Sequence, residues 1–388
     1  MDKYSFLNSA NTAYFAELYD QYLKSPDTVE PSWRAFFQGF DFGQENGTSQ
    51  IEVDNLVPEN IQKEFQVVKL IDAYRNRGHL FTKTNPVRAR RSYSPNLDFQ
   101  NFGLEEKDLK TVFSAGQIMG IGSSTLAEII NHLQQIYCDS IGIEYMYIRN
   151  PVKVNWIQKK LNVNTNHPKF TSDQKKHILS KLNEAVSFEN FLHTKFVGQK
   201  RFSLEGGESL IPAIDSIIEL AADKGVEEFV MGMAHRGRLN TLINIFGKSA
   251  KDIFNEFQGK DYDEEMLFDG DVKYHMGWTC KRDTDSGKKI NLNIAPNPSH
   301  LETVGAIVQG ITRAKQEDDF SGDLSKVLPI IIHGDAAIAG QGLPYEIVQM
   351  AGLKGYGTGG TIHIVVNNQI GFTTNYLDAR TSTYCTDV

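Results

Sequence analysis

Hydrophobic and polar positions divide the 388-residue chain into three regimes. In the first, Tyr14, Phe15, Leu18, Tyr19, Tyr22 and Leu23 recur at helical spacing, and Pro31, Trp33, Phe36 and Phe37 follow a short turn. So much aromatic surface on so short a segment cannot bury itself. The pattern predicts an arm, residues 1–40, that docks either on the rest of the chain or on a partner. Residues 41–57 are polar and acidic without periodicity and read as a linker. A helical region over 58–195 follows, with Phe65, Val68, Leu70, Ile71 and Tyr74 on one stripe and further stripes over Thr125–Tyr137 and Asp173–Leu192.

The third regime, 196–388, alternates apolar runs with amphipathic stretches. Strands are expected at Glu228–Met233, Ile290–Ala295, Val327–His333 and Thr361–Val366, and helices at Glu208–Asp223, Leu301–Gln316 and Tyr345–Leu353. Apolar strands separated by helices predict an α/β fold with a doubly wound parallel sheet covered on both faces. The acidic run Asp261–Asp271 reads as a solvated insertion between the first two strands.

Composition narrows the function classes. Forty Lys and Arg against 48 Asp and Glu give a net charge of −8, which argues against non-specific binding to nucleic acid or to an anionic membrane. No apolar run reaches the ~18 residues of a membrane span. The start, Met1 to Phe6, lacks a secretory core or an Arg-rich transit helix. Cys138, Cys280 and Cys385 lie far apart, which excludes a disulfide framework or a Cys-based zinc site and suits a reducing cytoplasm. The Arg88, Arg90, Arg91 cluster could meet an anion, although a solvated surface is the simpler reading.

The unusual polar residues fall just after the four expected strands: His235-Arg236-Gly237-Arg238-Leu239-Asn240, Asn297-Pro298-Ser299-His300-Leu301-Glu302, Gly334-Asp335-Ala336-Ala337, and Asn367-Asn368-Gln369-Ile370-Gly371. In a parallel sheet all four lie at the carboxyl edge, where open α/β sheets bind ligands. Asp335 offers a hard carboxylate, and thirty-three residues later Asn368 offers an amide oxygen and Ile370 a backbone carbonyl. Mg²⁺ takes six oxygens, so three from protein leave room for two diphosphate oxygens and a water. Gly340-Gln341-Gly342 opens a helix, where free N–H groups favour anions. Arg236 can clamp a phosphate. Taken singly, Asp335 could be a helix cap and Asn367-Asn368 a turn. Their shared edge and spacing favour ligands.

The Asp335 to Asn368 pair resembles the thiamin-diphosphate fingerprint, with Ala336 where the family pattern has Gly. Gly198–Gly206, Gly232–Asn240, Asn297–Glu302 and Asn367–Thr374 resemble the E1 components of 2-oxoglutarate dehydrogenases, as do Tyr74–His79 and the arm. The resemblance runs over essentially the whole chain. It implies a diphosphate-binding domain over 196–388 that uses thiamin diphosphate and Mg²⁺. Asp335, Asn368 and Ile370 would hold the metal, and Arg236, Ser299, His300, Leu301, Asp335, Ala336, Ala337, Asn368 and Ile370 would contact the cofactor. 2-Oxoglutarate is a dianion whose ketone oxygen gains charge during reaction, so its site needs hydrogen-bond donors. By the resemblance, His235, His275, Ser299 and His300 bind it, with His235 and His300 catalytic.

The resemblance also implies succinyl transfer to the lipoyl group of an E2 dihydrolipoyl succinyltransferase, which residues 1–40 would bind, and a homodimer. It places the enzyme in the cytoplasm of a bacterium, or in the mitochondrial matrix of a eukaryote. Family members continue beyond Val388 into a pyrimidine-binding domain carrying the cofactor-activating glutamate. The expectation is therefore a fragment with half of each active site, inactive alone. Two alternatives stay open: a carboligase or stand-alone decarboxylase, or an E1 acting on a neighbouring 2-oxo acid; and a non-catalytic scaffold that recruits a partner through the arm.

Overall fold

A computed structural model describes residues 12–45, 58–85, 96–258 and 272–387. Most of the expected linker, the arginines at 88, 90 and 91, the acidic run 261–271 and the side chains of Tyr14 and Phe15 lie outside the described residues. The chain forms two units, residues 1–169 and 170–388.

In the first unit, helices α1 (Thr12–Lys24) and α2 (Pro31–Glu45) precede α3 (Glu59–Arg77). Tyr22, Val29, Trp33 and Phe37 are buried with Ile61 and Phe65 of α3. Trp33 meets the Phe65 ring edge-on, centroids 5.3 Å apart at 83°, a geometry worth about 0.5–1.5 kcal/mol beyond area burial. The arm's described aromatic residues are therefore spent on this chain's own α3. Helix α4 (Leu126–Tyr137) starts from a reciprocal cap, in which Thr125 Oγ1 accepts from Glu128 N–H and the Glu128 carboxylate accepts from Thr125 N–H. Its buried Leu126, Ile129, Leu133 and Ile136 face Val67, Leu70, Ile71 and Tyr74 of α3. Helix α5 (Pro151–Val163), which the apolar pattern did not predict, is started by Asn150 accepting from the N–H groups of Val152 and Lys153.

The second unit opens with α6 (Ser172–Lys195), followed by α7 (Leu210–Asp223), α8 (Arg238–Asn244) and α9 (Ala250–Gln258). The sequence pattern groups α6 with the helices before it. In the structure it belongs to the second unit, and its Ala185, Phe188 and Leu192 share a core with Ile211, Ile214 and Ile218 of α7.

The strands are β1 (Glu228–Met233), β2 (Trp278–Asp283), β3 (Lys289–Ile294), β4 (Val327–Gly334) and β5 (Ile362–Val366), in the order β2-β3-β1-β4-β5. The four expected strands pair parallel with one another. The sheet is not wholly parallel, because β2 pairs antiparallel with β3 at one edge. It escaped the sequence pattern because its burial alternates and its apolar content is low. On β1 and β4, alternate residues enter different cores: Phe229, Met231, Ile330 and Ile332 pack with α6–α8, whereas Val230, Val327 and Ile331 pack with Val304 and Val308 of α10 (Thr303–Asp318). After β1 the chain adds β2 and β3 on one side of it, and then β4 and β5 on the other. After β4 come α11 (Asp335–Gly340) and α12 (Gly342–Met350), and after β5 a small hairpin of β6 (Ile370–Gly371) and β7 (Thr374–Asn375).

Candidate functional site

Asp335 begins α11 directly beyond β4 and is buried. Asn368 lies two residues beyond β5. Its side-chain NH₂ donates to Asp335 Oδ1 and to Ile370 O, 3.1 Å from each. The hairpin is forced into this approach by left-handed backbone at Gln369 (φ 62°) and Phe372 (φ 57°). Asn367 stabilises the first bend by accepting from Gln369 N–H at 3.0 Å. Gly371 presses against Ala336: a Cβ at 371 would stand 2.8 Å from the Ala336 methyl. The Ala336 methyl is thus accommodated by a glycine opposite.

The amide NH₂ satisfies both acceptors, and rotation about its terminal bond would turn the amide oxygen toward them instead. This donor set, a carboxylate, an amide oxygen and a carbonyl, suits a hard divalent ion. Among the described residues no group of three or more His, Cys, Asp or Glu could hold a metal, so any ion here relies on the neutral oxygens as well. Burial pushes the Asp335 carboxyl above its usual range, and Arg380 opposes that shift, donating from Nη1 to Asp335 Oδ2 at 3.4 Å. Nothing in the sequence pattern pointed to Arg380.

The second cluster stands beyond β1. His235 and His275 lie with ring centroids 4.9 Å apart, and Phe202 stacks on His235 at 4.9 Å and 24°. Tyr274 meets Phe202, His235 and His275 edge-on. Phe202 sits at φ 50°, and the loop around it is tied down by Glu189, which accepts from Ser203 Oγ and Leu204 N–H. Lys200 Nζ lies 4.8 Å over the Phe202 ring. Arg236 donates to Ser203 O at 2.9 Å. Gly237 turns the chain into α8 at φ 75°, and a Cβ there would strike Leu204 at 2.7 Å. Phe202 lies inside a motif segment and Tyr274 precedes His275, yet only the structure shows them enclosing the histidines.

The remaining expected residues are placed less tightly. Ser299, His300 and Leu301 occupy an exposed turn between β3 and α10. Among the described residues no hydrogen bond or ring contact joins the His300 side chain to the His235–His275 pair; the His300 carbonyl accepts from Thr303 Oγ1 at 2.9 Å. Ala336 and Ala337 lie half-buried on α11. Below the turn, buried Glu302 (φ 71°) holds His333 Nδ1 at 2.5 Å, and His333 Nε2 meets His363 Nδ1 at 2.9 Å. A cavity of about 530 Å³ beside α4 in the first unit contains none of these residues.

Residues 180–388 match the family model described as dehydrogenase E1 component. That is more than half of the chain. The chain belongs to the dehydrogenase E1 component family. Residues 4–44 match a second model, the 2-oxoglutarate dehydrogenase N-terminus. The 2-oxoglutarate dehydrogenase E1 component of Cupriavidus necator is 43% identical over 99% of this chain and 43% of its own length. That of Azotobacter vinelandii is 42% identical over 98% of this chain and 43% of its own length. The multifunctional 2-oxoglutarate metabolism enzyme of Mycolicibacterium vanbaalenii is 46% identical over 87% of this chain and 27% of its own length. This chain thus spans less than half the length of these relatives. Among the described residues no helix is long and apolar enough to cross a membrane.

Proposed function

We propose that this chain carries the diphosphate-binding, doubly wound half of a 2-oxoglutarate dehydrogenase E1 component, one that decarboxylates 2-oxoglutarate and passes the succinyl group to the lipoyl group of E2. The reading rests above all on the convergence of the Asp335 carboxylate, the Asn368 side-chain amide and the Ile370 carbonyl. These residues would hold Mg²⁺ and, through it, the diphosphate of thiamin diphosphate. Arg236 and the Ser299–Leu301 turn would add contacts from the neighbouring strand ends, and Ala336 and Ala337 contacts from α11. When bound, the cofactor supplies the carbanion chemistry of decarboxylation.

The chain's own work is to orient and to stabilise charge. His235 and His275 present imidazole nitrogens from a wall that Phe202 and Tyr274 make stiff and dry. Donors held in such a wall favour the substrate's carboxylates and the oxygen that gains charge, because they need not reorient during reaction. His300, on the exposed turn, reaches the same substrate from the next strand end. The arm would meet E2 with what remains exposed once Trp33 and Phe37 are buried, Leu23 included. A homodimer would bring in the pyrimidine half of the site. The setting is the cytoplasm of a bacterium or a mitochondrial matrix.

The test is calorimetric titration of the full-length protein with Mg²⁺–thiamin diphosphate, followed by a panel of 2-oxo acids with an artificial electron acceptor. Saturable heat and a preference for 2-oxoglutarate are expected. Absence of cofactor binding would refute the reading, and a preference for another 2-oxo acid would correct its substrate.

A further inference from the structure

Arg238 has the bulkiest of the fully buried side chains, at 0% exposure, and among the described residues no carboxylate pairs with it. Its guanidinium instead donates to three backbone carbonyls: Nη1 to Met233 at 2.9 Å, Nε and Nη2 to Met276 at 3.0 and 2.6 Å, and Nη2 to Ala295 at 2.5 Å. Met233 precedes His235 by two residues, Met276 follows His275, and Ala295 stands two residues before Asn297, whose N–H bonds to the His275 carbonyl at 2.8 Å. One planar cation therefore fastens together the three segments that bear His235, His275 and the Ser299–His300 turn. A fork of fixed angles can do this, whereas an ammonium cannot span all three carbonyls.

A second feature constrains the same junction independently. A Cβ at Gly277 would lie 2.8 Å from Pro296 Cδ and 3.0 Å from Ile294 O. The 275–277 segment is thus pressed onto the end of β3, and only a glycine permits that approach.

We propose that Arg238 is a positioning residue for the 2-oxo acid: it fixes the mutual spacing of the substrate histidines from beneath, without touching the substrate. The inference rests on the proposed function above and adds to it a reason for a buried charge that no cofactor contact needs. The charge is retained because three acceptors at the carboxyl ends of β1 and β3 and beside His275 would otherwise be buried unpaired. The geometry is retained because imidazoles misplaced by as little as an ångström lose most of their effect.

The test compares wild type, Arg238→Lys and Gly277→Ala in the full-length protein. Four readouts apply: 2-oxoglutarate affinity by calorimetry, KM and kcat with an artificial acceptor, Mg²⁺–thiamin diphosphate affinity, and melting temperature. Both variants should weaken 2-oxoglutarate binding and raise KM by at least about tenfold while cofactor affinity stays within about threefold. A merely structural role predicts lower melting temperature and less active protein with KM unchanged; that result, or equal loss of substrate and cofactor affinity, would overturn the proposal. If Arg238→Lys does not fold, Gly277→Ala decides alone, since it leaves the guanidinium in place. Wild-type protein that binds no 2-oxoglutarate sinks the functional reading, whereas variants that bind it as well as wild type sink this inference only.

Discussion

The side-chain NH₂ of Asn368 stands 3.1 Å from Oδ1 of Asp335, although the two residues are thirty-three positions apart and rise from the ends of different strands. Parallel pairing of β4 with β5 sets this distance, because it brings Gly334 level with Val366 and so aligns the loops that follow. Asn368→Ala removes one neutral oxygen, and Asp335→Asn removes the only charge of the set. Each should weaken Mg²⁺–thiamin diphosphate binding, the second by roughly 100-fold or more. Chelation of the metal should release the cofactor reversibly, as followed by calorimetry or cofactor fluorescence. Unchanged affinity in Asp335→Asn would remove the ion from this position.

The contact between Gly371 and Ala336 makes a coupled prediction. Gly371→Ala places two methyl carbons 2.8 Å apart, so the hairpin must move and cofactor affinity should fall about tenfold, by analogy with other outer-layer changes around a metal. Ala336→Gly in the same chain should restore most of that loss. A double variant no better than Gly371→Ala alone would show that the two positions act independently.

His300 stands on the exposed turn before α10, outside the Asp335–Asn368–Ile370 set, so its loss should not disturb the metal. His300→Ala should lower turnover of 2-oxoglutarate by roughly 10²-fold, the scale of a single removed donor or proton-transfer group. Mg²⁺–thiamin diphosphate affinity should fall far less, because His300 would be one of several cofactor contacts. If both fall in parallel, His300 serves the cofactor or the fold instead.

Stability of the second unit should depend on acid through Asp215. Burial alone would raise this carboxyl. His177 Nε2 at 2.6 Å from Oδ2 and Arg282 Nη2 donating to Oδ1 at 2.6 Å outweigh that effect and hold it below its usual range. A carboxyl depressed in the folded state stabilises at pH values above its unfolded pKa of about 4, and that contribution is lost as pH falls toward the folded value. The difference in denaturation midpoint between wild type and Asp215→Asn should therefore be largest near neutrality and shrink below about pH 4. A difference that is constant from pH 3 to 7 would mean that the carboxylate's charge is not what matters.

The chain's linear pattern determined which four runs become the parallel strands and where their polar ends fall. Buried strands must be apolar along their whole length, and the residues that break the run are the ones left at the edge. It therefore located Asp335, Asn368, Ile370, His235 and the Ser299–Leu301 turn before any geometry was known. It left the arm's destination undecided, because an aromatic stripe only requires a cover and does not say which; in the structure Phe65 of α3 provides it. It missed β2, whose pairing with β3 supplies a partner that its own composition does not advertise. It also missed Phe202, Arg238 and Arg380, whose roles come from distance in space: a ring over His235, a guanidinium among three carbonyls, and a cation beside Asp335. Hydrophobic periodicity records how much of a residue is hidden. What hides it, and at what distance, is fixed only when the strands stack in one order.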